Sequence, residues 1–175
     1  MLEVRLIVLI FVCVLTGCGD VQQPESVRIV AAFEVPLPTE DDRNEFMSVL
    51  RVAAEPEGMH VDAASAQKLK NSAAAIPEAK MTIHAAVWLG EDEVIASILD
   101  IGRPGHARII FSEGEDPEKS RRFQNRVMQE ICSRWPETLS LPVMPTGTIP
   151  HRKDLIRRPD RYIVDPMAEP KYSVD

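Results

Sequence analysis

Cysteine is scarce in this chain: Cys13, Cys18 and Cys132 are the only three in 175 residues, which leaves little material for a disulfide framework. No second long apolar run follows Leu15 and 27% of the residues are charged, which excludes further membrane-spanning helices. Positive charge is in deficit, with 20 Lys and Arg against 27 Asp and Glu, for a net charge of −7. That balance argues against a nucleic-acid partner, because phosphate contacts need clustered positive charge. Catalytic signatures are missing as well: there is no Gly-rich phosphate loop, no G-x-S-x-G elbow and no H-E-x-x-H spacing. The acidic turns Glu91-Asp92-Glu93 and Glu113 to Glu118 lack the oxygen-ligand spacing of a calcium loop.

What is present begins at the amino terminus. Leu6 to Leu15 is an apolar core of signal-peptide length, shorter than the roughly twenty residues that a membrane-spanning helix needs. It ends in Leu15-Thr16-Gly17-Cys18, an order of apolar, small, Gly and Cys that resembles the lipobox of bacterial lipoproteins. The resemblance covers the first tenth of the chain. It implies cleavage before Cys18, a diacylglyceryl thioether on the Cys18 sulfur and acylation of the new amino group, so that the membrane is a partner through the acyl chains. Each buried methylene adds about 0.8 kcal/mol, which makes release of a doubly or triply acylated chain negligible. Gly19 rather than Asp follows the cysteine, which in this family favours the outer membrane, facing the periplasm. With Cys18 acylated and the leader gone, Cys132 is the one thiol left and has no disulfide partner.

Removing residues 1–17 takes away one acid, Glu3, and one base, Arg5, and leaves the net charge unchanged; the length that remains suits one domain with a real core. Residues 18–26 read as a short polar tether. Val27 to Val35 has strand composition and is bounded by Pro36 and Pro38. Thr39 then caps a helix with Glu40, Asp41 and Asp42 in its first turn and Phe46, Met47, Leu50, Ala53 and Ala54 at helical spacing, stopped by Pro56 and Gly58. Met59 to Ala63 predicts a short strand, and Ala63 to Ala75 a weakly packed helix. Strand alternation over Met81 to Leu89, a polar turn, Val94 to Ile101, a second turn and Ala107 to Ser112 predict an antiparallel meander. Asp116 and Pro117 open a second helix with an apolar stripe of Phe123, Val127, Met128, Ile131 and Trp135, and Cys132 is expected to pack beside it. Lys119, Arg121, Arg122, Arg126 and Arg134 lie on the other side, as a solvated face.

Leu139 to Met144 predicts a last strand. The expected fold is α+β: an antiparallel sheet, with the meander at about 81–112 plus flanking strands, and two main helices packed on one face, over residues 27–145. Residues 146–175 differ in composition, since six of the 14 prolines fall between Pro142 and Pro170. They predict an extended or loosely wrapped tail. Arg152, Lys153, Arg157, Arg158 and Arg161 make it the one basic patch of an acidic protein. They are candidates either for pairing with the acidic body or for docking a partner, a lipid headgroup or a cell-wall polymer.

The remaining chemical candidates are sparse. Ser65-Ala66-Gln67-Lys68 fits S-x-x-K, but no S-D-N or K-T-G accompanies it. His60, His84, His106 and His151 are scattered; His60 and Asp62 share a strand face, yet two ligands do not make a metal site. No cofactor is expected beyond the covalent lipid. The sequence points to a membrane-anchored envelope lipoprotein that binds an envelope protein or cell-wall material rather than catalysing. The alternatives are an envelope hydrolase using dispersed carboxylates, an immunity or inhibitor lipoprotein, and an assembly accessory that docks through its basic tail.

Overall fold

The computed structural model describes residues 28–64, 83–100 and 103–173. The leader, Cys18, the tether, the S-x-x-K motif and the alanine-rich segment after Ala64 lie outside the described residues.

Period-two alternation builds the sheet. In β1 (Ile29–Pro36), Phe33 and Val35 point to one face and Ala32 and Glu34 to the other. It is followed by α1 (Glu40–Ala54) and β2 (Met59–Ala63), then by the meander β3 (His84–Leu89), β4 (Glu93–Leu99) and β5 (His106–Ser112). α2 (Pro117–Arg134) and β6 (Leu139–Leu141) complete the main layer pair. The strands form one antiparallel sheet of order β2-β3-β4-β5-β1-β6. The expected α+β class is therefore correct, and the meander contributes its inner strands. β1 enters between β5 and β6, pairing Glu34 with Arg108 on one side and with Leu139 on the other.

Both helices start where their caps place them. The Thr39 hydroxyl accepts the Asp42 amide at 3.0 Å while the Asp42 carboxylate accepts the Thr39 amide at 3.0 Å, a reciprocal pair that satisfies two otherwise orphaned donors. Asp116 accepts from the Lys119 amide at 3.1 Å, with Pro117 at the first helical position, where its missing N–H costs nothing. Gly58, at φ 70°, turns the chain out of the short helical turn after α1 and into β2, a left-handed conformation that a Cβ would strain.

The apolar stripes of the two helices meet the sheet face made by Val35, Val87, Ile98, Ile109 and Phe111, all buried. Phe46, Leu50, Phe123, Val127 and Ile131 fill that layer. Each such side chain contributes about 1.5–3 kcal/mol on burial. Trp135 caps α2 and stands edge-on to Phe46 at 5.9 Å, and Phe123 meets Phe111 at 6.0 Å.

Residues 146–173 are held against the domain rather than loosely wrapped. After a helical turn at Arg152–Asp154, β7 (Leu155–Arg157) and β8 (Tyr162–Val164) form a hairpin against the outer face of β1 and β6. Ala32, Leu139, Leu141 and Tyr162 make a second, smaller apolar cluster there, on the side of the sheet away from the helices. Asp154 fastens the end of the chain by accepting from Lys171 Nζ at 3.0 Å and from the Tyr172 hydroxyl at 2.7 Å. β6 is only three residues long, because Pro142 follows it and has no N–H to continue the ladder.

Candidate functional site

Strand geometry puts a charged residue where the second cluster ends. Glu34 alternates with Phe33 and Val35 and so faces the hairpin, with only 6% of its side chain exposed. Arg108 lies directly across on β5. Arg103 reaches in from the turn before β5, and the C-terminal segment supplies Arg152 and Tyr162.

Both carboxylate oxygens of Glu34 are engaged. Arg103 Nη1 and the Tyr162 hydroxyl donate to Oε1, the latter at 2.8 Å, and Arg152 Nη1 donates to Oε2. Arg152 Nη2 also donates to the Tyr162 hydroxyl at 3.1 Å, and its guanidinium lies 5.5 Å from the ring centre. Burial pushes the Glu34 carboxyl up, but the Tyr162 hydrogen bond and the guanidiniums of Arg152 and Arg103 outweigh it, holding it below the usual range. Glu34 is therefore ionised at neutral pH. Burial likewise pushes the Arg108 guanidinium down; starting from the normal arginine range it still keeps its charge at neutral pH.

Beside this network opens a cavity of about 260 Å³, lined by Glu34, Pro36, Arg103, His106, Glu137 and Arg157 among others. Its floor includes Gly105, at φ 73°, which packs so closely on Pro38 that a Cβ would come within 3.3 Å of the Pro38 Cα. Burial pushes His106 below its ordinary value, with the neighbouring Arg103 adding to the effect, so its imidazole is neutral at pH 7. Arg157 makes no ion pair among the described residues. The lining thus holds two guanidiniums, of Arg103 and Arg157, and two carboxylates, of Glu34 and the exposed Glu137, while Arg152 is bonded to Glu34 and Arg108 stands across from it on β5.

No family model, curated protein or solved structure matches the chain. Function must be read from these side chains.

Of the five basic residues expected to dock a partner, Arg152 is tied to Glu34 and Arg157 lines the cavity. Lys153, Arg158 and Arg161 are exposed on the helical turn and at the hairpin's turn. Sequence reasoning missed Glu34, Arg103, Arg108 and Tyr162. The available signal was a lone charge in the middle of the apolar β1. Cys132 is exposed rather than packed, because Phe123, Val127 and Ile131 define the buried stripe and Cys132 sits one residue off it.

The basic face of α2 is partly neutralised: Glu57 accepts from Arg122 at 3.0 Å and from Arg126 at 2.9 Å. Arg134 pairs with Glu45 and Glu130. A groove of about 310 Å³ between the helices is lined by Glu45, Glu130, Arg126 and Arg134 with Val49, Val52 and Ala53, and each of those guanidiniums is bonded to a carboxylate. His60 and Asp62 are exposed on β2 and His84 is exposed on β3. Among the described residues no group of three or more His, Cys, Asp and Glu side chains is placed to hold a metal ion. Nor, among them, is any helix long and apolar enough to cross a membrane.

Proposed function

We propose that this chain is an envelope lipoprotein, anchored through acyl chains on Cys18 to the outer membrane and facing the periplasm, whose α+β domain binds envelope material rather than transforming it. The anchor rests on the lipobox pattern Leu15-Thr16-Gly17-Cys18. The binding reading is carried by one observation: Glu34 is saturated by two guanidiniums and a phenol, while Arg157 beside it makes no ion pair among the described residues. A general acid needs a carboxyl whose proton is held near the working pH, and Glu34 is held ionised with both oxygens engaged. The same network is well suited to recognition, since arginines fixed in position lose little freedom when a ligand arrives.

The test of the anchor is expression of the full-length chain in a bacterium fed labelled fatty acid, beside Cys18→Ala. Label on the wild type alone, with the protein in the outer-membrane fraction, is the expected result. Absence of label from both would remove the anchor.

A further inference from the structure

We infer that the cavity walled by Arg103, His106 and Arg157 is a binding site for a phosphate group, carried either by a small phosphorylated solute or by a phospholipid headgroup. Charge is the first argument. The cavity is lined by Arg103 and Arg157 against Glu34 and Glu137; Arg152, bonded to Glu34, and Arg108, across from Glu34 on β5, bring the cluster to a surplus of two positive charges that a phosphate dianion balances. The domain as a whole is acidic, with a net charge of −7 on the full chain, so the surplus here is local and not a property of the surface at large.

Donor geometry is the second argument. Arg103 commits only Nη1 to Glu34 and Tyr162, which leaves Nε and Nη2 of its planar fork to donate. Among the described residues no partner engages the Arg157 guanidinium. Guanidinium forks match pairs of phosphate oxygens, giving charge-assisted bonds about twice as strong as neutral ones. Glu34 acts here as a positioning residue, since it fixes Arg103 and Arg152 and touches no ligand with a free oxygen. His106 has Nδ1 3.3 Å from the Pro104 carbonyl oxygen; a proton on Nδ1 satisfies that contact and leaves Nε2 to accept from a ligand hydroxyl.

Size narrows the class. About 260 Å³ lies just under the roughly 300 Å³ at which drug-sized sites begin. It equals the liquid volume of several waters at about 30 Å³ each. This suits a glycerol phosphate or a single headgroup, and Glu137 on the rim opposes a polyphosphate. The inference rests on the binding reading but not on the acyl anchor: fatty-acid label without phosphate binding would leave the lipoprotein standing and remove this site alone.

The experiment is calorimetric titration of the full-length chain in neutral detergent with three probes: inorganic phosphate, glycerol 3-phosphate and short-chain phosphatidylglycerol. Saturable binding of at least one probe is expected, weakened tenfold or more in Arg157→Gln and changed less than twofold in Lys153→Gln. Arg157 is exposed, so an unchanged unfolding midpoint shows that the variant is folded. Binding of the soluble probes alone assigns the site to a free solute, and binding of the lipid alone assigns it to a headgroup. Unsaturable heats with all three probes, or equal affinity in wild type and Arg157→Gln, overturn the site.

Discussion

The two faces of the sheet are held by different physics. On one side, two helices bury Phe46, Leu50, Phe123, Val127 and Ile131 against Val87, Ile98, Ile109 and Phe111. That layer is apolar, and its strength comes from area removed from water. On the other side, a short hairpin covers part of the sheet with a small cluster around Tyr162 and Leu141, and its hold passes through Glu34. The first face makes the domain stable. The second carries the charges gathered around Glu34.

The largest break in this comparison comes from the dry side. Phe123→Ala is expected to lose about 3–5 kcal/mol, as for other buried aromatic truncations. Urea unfolding followed by the fluorescence of Trp88 and Trp135 measures it.

Glu34→Gln should cost less, about 2 kcal/mol. Removing one partner of a fully buried pair costs about 3–5 kcal/mol, and Arg152, at 42% exposure, is partly relieved by water. Its larger signature is local, as faster protease cleavage within residues 146–173. Acid should act in the same direction. The carboxyls of Glu34, Glu57 and Asp154 are all held below their ordinary range. Their contribution is therefore complete above the unfolded-state values, near pH 4, and is lost as pH falls through the lower folded-state values. A pH series of unfolding midpoints should fall below about pH 4, with a shallower fall in Glu34→Gln.

The smallest effect sharpens the helical side. Thr39→Ala removes the hydroxyl half of the α1 cap and should cost about 1 kcal/mol. It should leave proteolysis of the hairpin unchanged.

This contrast also explains what was legible in the sequence. Phe123, Val127 and Ile131 recur every four residues, and Thr39 and Asp116 announce their helices, so the apolar face could be read from local pattern. Strand ends were less exact: the strand expected over Val94 to Ile101 runs from Glu93 to Leu99, and β6 stops at Leu141. The hairpin was not seen because each of its strands is only three residues long, too short for an alternation to show. Pro159 and Asp160 between two apolar runs were the turn signal available. The site was legible only in part. Arg152 and Arg157 stood out as members of a basic cluster, but nothing local indicated that Glu34 would receive Arg152. That contact joins residues 118 positions apart, and it exists only because β1 lies between β5 and β6.

The same separation has a consequence for biogenesis. Glu34 belongs to the first strand of the domain to be synthesised, and its phenol partner, Tyr162, lies 128 residues further on. A chain that leaves the ribosome or a translocation channel amino terminus first can pair its sheet and dock its helices while this carboxylate still waits for its partners. The network closes only when the last hairpin arrives. A polypeptide interrupted late in synthesis would thus keep most of its hydrophobic core and lack the charged network around Glu34.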